Sequence, residues 1–149
     1  MKLGRLNHIG VATPSIADSI VYYREVMGAT YITDPFDLPE QGVKVCFVNT
    51  PTDSGMNGTQ IELIEPLGET STLRAFMEKN PLGGQHHVCY EVEDIGEARA
   101  WFEGKGKRIL GPTRIGAHDT PIFFLHPKDM MGQLTEIMET PKPKREDIH

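Results

Sequence analysis

Hydrophobic and polar residues alternate along this chain in a pattern that occurs twice. Residues 8–29 read HIGVATPSIADSIVYYREVMGA, and residues 87–107 read HVCYEVEDIGEARAWFEGKGK. In both stretches, bulky residues at every second position are followed by apolar residues at helical spacing and then by glycine. Each stretch therefore predicts a strand, an amphipathic helix and a turn, and the whole chain predicts an internal duplication.

Helix-start signals support the two predicted helices. Thr13 followed by Pro14 predicts the start of the first helix, and Asp94 with Glu97 three residues later predicts the start of the second as a capping box. Further apolar runs predict three strands after each helix, at residues 30–33, 43–49 and 59–64 and at residues 107–110, 121–125 and 133–138. The predicted fold class is α+β, with two tandem βαβββ modules.

The length of 149 residues suits a single domain. Between the modules, the sequence GETSTLRAFMEKNPLGG predicts an additional helix that begins after Thr70 or Ser71. The C-terminal tail is polar and contains prolines. The predicted subdivision of the domain, residues 1–149, is 6–66 for the first module, 67–84 for the linking helix, 85–140 for the second module and 141–149 for the tail.

The composition argues against several classes of function. A formal net charge of −6 disfavours a general nucleic-acid-binding protein, which needs a cationic surface. No stretch approaches the roughly 20 apolar residues of a membrane span, and the N-terminal residues lack a signal-peptide pattern. Cys46 and Cys89 lie in apolar runs without a CxxC partner, as is typical of buried free thiols in a reducing compartment. A cytoplasmic protein is expected.

One histidine of each module is predicted to lie on a strand face that carries small residues. Neighbouring residues of a strand point to opposite faces, so His86 and His87 are not expected to serve the same site. The bulky residues that follow His8 and His87 should face the helix of each module, which leaves these two imidazoles on the opposite face. His86 is expected to face away from the site.

The last strand of each module adds a carboxylate. Glu62 in TQIELIEP and Glu136 in GQLTEIME are flanked by apolar residues, where a charge is costly unless it is paired. A single such histidine is most often structural, and a single such glutamate commonly faces water. Four residues at repeat-related positions favour one shared site instead. Two imidazoles and two carboxylates suit a divalent transition metal ion with open positions for water or substrate, and the predicted ligands are His8, Glu62, His87 and Glu136.

These residues and several longer runs carry a resemblance to a known family. The runs LNHIGVAT, PLGETSTLRAFMEKN, GGQHHVCYEVEDI and IGAHDTPIFFLHPKDMMGQLTEI are similar to the methylmalonyl-CoA epimerase family. That family belongs to the vicinal oxygen chelate superfamily, together with glyoxalase I, extradiol dioxygenases and bleomycin-resistance proteins. The resemblance covers nearly the whole chain, whereas the histidine and glutamate set alone is specific only for the superfamily.

The resemblance implies the glyoxalase-like fold, in which the two modules form a curved mixed β-sheet with outer helices and a metal in the inner cleft. It implies an isomerase of propionate metabolism that interconverts (2R)- and (2S)-methylmalonyl-CoA by removal and return of the α-proton through a metal-stabilised enolate. The implied cofactor is a divalent ion, cobalt first, with manganese, nickel or zinc as alternatives. The implied substrate is an acyl-CoA thioester. No nucleic acid or membrane is expected as a partner, and a homodimer is expected by analogy. A eukaryotic source would imply the mitochondrial matrix, although no transit peptide is seen.

The implied proton-transfer residues are Glu136 and Glu62. In some bacterial members of the family a glutamine stands in the place of Glu62, and a glutamate stands in the place of Val45, two positions after the QGV sequence. This chain lacks that second carboxylate. The resulting hypothesis is that Glu62 takes over as a base and works with Glu136 across the metal, as in a glyoxalase.

Weaker expectations concern substrate contacts and two alternative functions. The residues considered for substrate binding are Gln41, His118, His126 and Lys128, although polar residues at strand ends usually satisfy the local backbone and lone lysines are usually solvated. One alternative is a lactoylglutathione lyase of the glyoxalase I type, which acts on a glutathione hemithioacetal. The other is a metal-free small-molecule binding or resistance protein of the same fold, which would not need all four ligands.

Overall fold

The computed structural model describes residues 1–142, so most of the predicted tail at 141–149 lies outside the described residues. The helices and strands are α1 (Ile16–Glu25), α2 (Leu73–Lys79), α3 (Ile95–Gly104), β1 (Leu6–Ala12), β2 (Phe36–Leu38), β3 (Val43–Val48), β4 (Gln60–Pro66), β5 (Gly84–Val92), β6 (Ile109–Ile115), β7 (Pro121–Leu125) and β8 (Thr135–Glu139). This order confirms the α+β class and the two tandem βαβββ modules, with α2 between them.

The chain divides into two compact units. The first unit is Asn7–Val88, and the second unit combines Met1–Leu6 with the residues from Cys89 onward. The N-terminal residues belong to the second unit because they bond to the end of β5: the backbone N–H of Gly4 donates to the Glu91 carbonyl at 2.8 Å, and the backbone N–H of Glu91 donates to the Arg5 carbonyl at 2.9 Å. The Arg5 guanidinium also pairs with the buried Glu91 carboxylate at 3.1 Å.

In the first unit, a mixed sheet has the strand order β2-β3-β4-β1. Strands β1 and β4 are parallel, whereas β3 is antiparallel to both β2 and β4. Helix α1 covers one face of this sheet through a buried apolar cluster, against which Ile20 and Tyr23 pack; its members are Ile16, Cys46, Val48 and Leu63. The helix spacing read from the sequence therefore identified the core side of α1.

In the second unit, the strand order is β5-β8-β7-β6, and the β6–β7 and β7–β8 pairs are antiparallel. Helix α3 covers one face through an equivalent buried cluster, whose members are Val92, Ala98, Phe123, Leu125 and Ile137. Tyr90 and Phe102 pack against this cluster. The repeat in the sequence thus corresponds to two sets of four strands, each of which buries one face under a helix.

A carboxylate near the end of the last strand holds the helix start in each unit. In the first unit, the Ile16 backbone N–H donates to Glu65 Oε1 at 2.8 Å. In the second unit, the Ile95 backbone N–H donates to Glu139 Oε1 at 3.2 Å. An anionic acceptor is favourable at this end of a helix because the first-turn N–H groups lack helical partners. These bonds tie β4 to α1 and β8 to α3.

The helix caps differ in part from the sequence expectation. The N-cap of α1 is Ser15, whose side chain accepts from the Asp18 backbone N–H, so the prediction of Thr13 as the cap is wrong. The Thr13 hydroxyl instead accepts from the Ser15 N–H at 3.1 Å and thereby holds the turn that precedes the cap. Asp94 is confirmed as the N-cap of α3, since its carboxylate accepts from the Glu97 N–H at 2.8 Å.

The second strand of each module is the least accurately predicted element. Residues 30–33 form no strand; they contain one isolated bridge, Ile32 to Val48, and the Thr33 hydroxyl accepts from the Phe47 N–H at 2.9 Å. A side chain there takes over part of the hydrogen bonding that a strand would supply, and the short strand β2 follows a few residues later. Strand β6 begins after residues 107–108 and extends beyond Leu110 through a register shift between Leu110 and Arg114.

The two cysteines and the hydrophobicity of the helices can also be compared with the sequence expectations. Cys46 and Cys89 are free and buried, as predicted, and burial raises the pKa of the Cys46 thiol. Among residues 1–142, no helix combines the length and hydrophobicity that crossing a bilayer requires.

Candidate metal centre

Three of the four predicted ligands converge within the first unit. His8 Nε2 lies 3.2 Å from His87 Nε2 and 3.4 Å from one carboxylate oxygen of Glu62. The other Glu62 oxygen lies 3.6 Å from His87 Nε2. All three residues are buried, with His8 fully so. The ligand atoms of this group lie within 4.8 Å of one another.

Strand pairing explains this convergence. In the parallel β1–β4 pair, Gly10 is the register partner of Glu62, so His8, two residues before Gly10, lies on the same face as Glu62. That face is opposite to the one covered by α1, since Leu63 belongs to the apolar cluster under the helix. The expectation that His8 lies on the strand face opposite the helix is confirmed, and Glu62 shares that face.

A glycine makes room for the second histidine. An ideal Cβ placed on Gly10 would lie 2.1 Å from Cε1 and 2.5 Å from Nε2 of His87. No side chain fits there while the His87 ring keeps its position. The small residue that the sequence places on this face of β1 is therefore required by the close approach of the ring.

The donor set fits a divalent metal ion. Two atoms each about 2.1 Å from one ion, at angles between a right angle and the tetrahedral angle, lie roughly 3.0–3.4 Å apart. The separations of 3.2, 3.4 and 3.6 Å among the three residues are close to that spacing. Imidazole nitrogens with carboxylate oxygens suit several first-row divalent ions. The buried group of His8, Glu62 and His87 therefore has donors and spacings that fit a divalent metal ion, and the role of each residue as a ligand stays a prediction.

Each of these histidines also makes a contact that the sequence analysis missed. Asn7 Oδ1 lies 2.7 Å from His8 Nδ1, and His86 Nδ1 lies 2.9 Å from His87 Nδ1. The prediction that His86 faces away from the site did not include this contact, which is possible because Nδ1 is the ring nitrogen nearer the main chain and is within reach of the preceding side chain. The sequence contained one indication of these contacts, since Asn7 and His86 each directly precede one of the two repeat-related histidines.

Glu136 lies in the second unit, on β8, and is buried. Its register partner on β7 is Phe124, just as the register partner of Glu62 on β3 is Phe47. The two glutamates thus occupy equivalent positions in their own units. A role for Glu136 as a ligand or an acid–base residue stays a prediction.

Val45 is buried on β3, two residues before Phe47, and therefore shares the strand face of Glu62's register partner. A carboxylate at this position would point to the same side of the sheet as Glu62. The sequence departure noted above thus concerns a side chain on the site face of the first unit, and there the chain carries an apolar residue.

The predicted substrate-binding residues lie at loops and turns. Gln41 ends the 3₁₀ turn Pro39–Gln41 and is half-buried, and His118 is half-buried in the turn between β6 and β7. His126 caps a second 3₁₀ turn, since its Nδ1 accepts from the exposed Lys128 backbone N–H at 3.1 Å. One nitrogen of His126 thus serves the local backbone, and contact of any of the four with substrate stays a prediction.

The loop after His126 is held by an exposed ion pair. The Arg108 guanidinium donates to both oxygens of Asp129, at 2.9 and 3.1 Å. These hydrogen bonds hold the pKa of the Asp129 carboxyl well below its usual range. Such a pair orders the turn but adds little to stability because solvent screens it.

Comparisons with known proteins place this geometry in a family. Residues 7–124 match the Glyoxalase/Bleomycin resistance protein/Dioxygenase superfamily. The chain is 47% identical over 137 residues to an ethylmalonyl-CoA/methylmalonyl-CoA epimerase of Cereibacter sphaeroides, covering 91% of this chain and 97% of that protein. It is 41% identical to the mitochondrial methylmalonyl-CoA epimerase of Homo sapiens, covering 91% of this chain and 74% of that protein.

Solved structures agree with the sequence relatives. A variant of the Streptomyces coelicolor methylmalonyl-CoA epimerase in complex with 2-nitronate-propionyl-CoA matches with a TM-score of 0.84 and 31% identity, over 95% of this chain and all of that one. A methylmalonyl-CoA epimerase in complex with methylmalonyl-CoA and NH4+ matches with a TM-score of 0.83 and 31% identity, over 93% of this chain and 96% of that one. The chain therefore belongs to the glyoxalase/bleomycin resistance protein/dioxygenase superfamily and, within it, to the methylmalonyl-CoA epimerase family.

Proposed function

We propose that the chain is a metal-dependent epimerase that interconverts (2R)- and (2S)-methylmalonyl-CoA by removing and returning the proton on the α-carbon. The observation that carries this proposal is the buried convergence of His8, Glu62 and His87 in a chain 47% identical to an epimerase of acyl-CoA thioesters. The named relatives do not favour the lactoylglutathione lyase alternative or the metal-free binding protein.

The ligands of the ion are His8, Glu62, His87 and, by the repeat, Glu136. The bound divalent ion supplies Lewis-acid stabilisation for negative charge on the substrate oxygens. Cobalt is the proposed ion because the family resemblance implies it. Manganese, nickel and zinc are alternatives because imidazole and carboxylate donors bind all of these ions. The support for Glu136 is its position on β8, which matches the position of Glu62 on β4.

Epimerisation needs a proton acceptor and a proton donor on opposite faces of the reacting carbon. We assign these tasks to Glu62 and Glu136. Glu62 takes the role of base because Val45 leaves the neighbouring position on the site face without a carboxylate. A proton moves from the α-carbon to one glutamate, and the other glutamate returns a proton to the opposite face; the reverse reaction exchanges the roles.

Substrate recognition and assembly complete the proposal. Gln41, His118, His126 and Lys128 are proposed to contact the acyl-CoA, with Lys128 suited to its phosphates because the ammonium group is exposed. A homodimer is proposed by analogy with enzymes of this fold. Neither nucleic acid nor membrane is a proposed partner.

The test is an exchange assay with and without metal. The protein is stripped with a chelator, supplied with (2R)- or (2S)-methylmalonyl-CoA in deuterated water, and followed by NMR for loss of the α-proton signal. We expect little exchange after stripping and recovery on addition of Co²⁺. A parallel reaction with methylglyoxal and glutathione should form no lactoylglutathione. Full exchange by demonstrably metal-free protein, or efficient lactoylglutathione formation, would contradict the proposed function.

A further inference from the structure

We propose that Asn7 and His86 are positioning residues of the metal centre, each holding the Nδ1–H of the histidine that follows it so that Nε2 is presented to the ion. The inference rests on the proposed function, because it concerns the ion that this function requires. It assigns a role to two residues that the proton-transfer scheme does not use.

In the first pair, the chemistry of the amide determines the direction of the hydrogen bond. The oxygen Oδ1 of Asn7 only accepts, so the 2.7 Å contact requires that His8 Nδ1 donates. A neutral imidazole with its proton on Nδ1 carries its lone pair on Nε2. Nε2 is the atom of His8 that faces His87 and Glu62. Asn7 is buried, so its side chain is held in place by the surrounding protein.

In the second pair, His86 Nδ1 and His87 Nδ1 lie 2.9 Å apart, so one of the two nitrogens carries a proton and the other accepts it. When His87 Nδ1 donates and His86 Nδ1 accepts, the lone pair of His87 is on Nε2, toward His8 and Glu62. The opposite direction would leave the proton of neutral His87 on Nε2, where it blocks coordination. Coordination of an ion through His87 Nε2 would therefore require the arrangement in which His86 accepts.

Helix α2 supports the second pair. The ring of Phe76 on α2 packs edge-to-face against the His86 ring, with centroids 5.1 Å apart and an interplanar angle of 82°. This contact restricts the rotation of His86 and keeps Nδ1 directed at His87. The helix between the two modules thus has a function at the site, through one aromatic contact.

The repeat relates the two pairs to each other. With His8 aligned on His87, Asn7 aligns on His86, so both halves place the Nδ1 partner directly before the histidine while the acceptor changes from an amide oxygen to an imidazole nitrogen. Histidines that bind metals usually donate their other N–H to an acceptor, and loss of that acceptor typically lowers metal affinity by roughly 10- to 100-fold. The first half therefore suggests the conservative replacement for the second, His86→Asn.

The experiment titrates Co²⁺ into metal-free protein by calorimetry, without substrate. We expect Asn7→Leu and His86→Leu each to weaken Co²⁺ binding by roughly 10- to 100-fold. His86→Asn should bind close to wild type, since it restores an acceptor at the same place. Asn57→Leu, at an exposed loop position, is the matched control and should not change the affinity.

A second readout separates positioning from general destabilisation. In Zn²⁺-loaded protein labelled with ¹⁵N-histidine, the Nδ1–H protons of His8 and His87 should both be observable because hydrogen bonds protect them from exchange. Asn7→Leu should remove only the His8 signal, and His86→Leu only the His87 signal. Leucine variants that bind Co²⁺ as tightly as wild type, or that lose both signals together with a large fall in Tm, would overturn the inference.

The experiments separate a failure of the positioning inference from a failure of the proposed function. If wild type binds Co²⁺ but does not exchange the α-proton of methylmalonyl-CoA, the proposed function is contradicted, and the affinities still decide the roles of Asn7 and His86. If wild type exchanges the proton and the leucine variants keep full affinity, only the positioning inference fails. If wild type binds no divalent ion, both fail.

Discussion

Gly10 and Cys89 stand at equivalent places in the two halves, each two residues after the histidine of its module. In the first unit, the absence of a side chain at Gly10 lets the His87 ring approach the backbone of β1. In the second unit, Cys89 is fully buried in an apolar cluster with Ile122 and Met138. The same position in the repeat is thus used for a ring at the site in one half and for core packing in the other.

The supporting framework of the two units is far more alike. Glu65 and Glu139 each accept a hydrogen bond from the first residue of the helix in their own unit. Leu63 and Ile137 each contribute to the cluster beneath that helix. The two halves thus share the contacts that attach a helix to a sheet, whereas Gly10 and Cys89 on the face opposite the helix have different surroundings.

The largest expected effect comes from the pair of glutamates that the two halves share. Glu62→Gln and Glu136→Gln should each lower the rate of α-proton exchange by roughly 10²- to 10⁴-fold, because each removes one of the two proposed acid–base residues. The measurement is deuterium incorporation from each epimer separately in deuterated water. Glu69→Gln, at an exposed position of the same chain, should leave the rate unchanged.

This result would also test the symmetry between the halves. Undiminished exchange from both epimers by Glu62→Gln would rule out the scheme with two glutamates. A large loss for Glu62→Gln with full activity for Glu136→Gln would show that only the first half supplies the acid–base chemistry.

A smaller but still large effect is expected at the glycine that distinguishes the halves. In Gly10→Ala, the new methyl group would overlap the His87 ring, since the ideal Cβ position is 2.1 Å from Cε1. The ring must move, and a ligand displaced by about 1 Å costs roughly 10²-fold in rate. Exchange rate and Co²⁺ affinity should fall together, and the overpacking should also lower the Tm.

The control for this variant is Gly104→Ala. Gly104 lies near the end of α3, and a Cβ there meets no atom within 4 Å. Alanine favours a helix relative to glycine, so this variant should be neutral or slightly more stable. Wild-type Co²⁺ affinity in Gly10→Ala would contradict the close approach of the His87 ring to β1.

The smallest expected effect concerns the helix anchors that the halves share. Glu65→Ala and Glu139→Ala should each lower the free energy of unfolding by about 1 kcal/mol, the usual cost of losing a helix N-terminal acceptor. Because the bond from Glu65 is 2.8 Å and that from Glu139 is 3.2 Å, Glu65→Ala should cost more. Urea unfolding measures both, and the glutamine variants, which keep an acceptor oxygen, should recover most of the loss.

Much of the fold could be predicted because it is encoded in local patterns. The period of the apolar residues identified α1, α3 and β7, and the carboxylate of Asp94 was correctly identified as a cap. Errors occurred where side chains near each other in sequence compete for one role. Thr13 and Ser15 both offer a hydroxyl at the start of α1, and only the backbone conformation of Ser15 makes it the cap.

The residues of the candidate metal centre were likewise predicted only in part. Strand alternation and the repeat were sufficient to choose His8, Glu62 and His87 from the chain, since side-chain direction follows from position in a strand. Alternation also assigned His86 to the other face, and this was misleading because the contact uses Nδ1, the nitrogen near the main chain. Strand periodicity predicts the face to which the Cα–Cβ bond points. It does not predict the rotation of the imidazole ring about its side-chain torsions.

The order of residues along the chain was enough to predict the two modules, their helix-facing cores and the residue types available for chemistry, because these depend on spacing along the chain. The folded chain was needed to show that His8, Glu62 and His87 lie within hydrogen-bonding or coordination distance of one another. It was also needed to show that Gly10 makes room for a ring and that Asn7 and His86 contact the histidines that follow them. Such contacts depend on strand register and ring orientation, which are set by the packing of residues far apart in sequence.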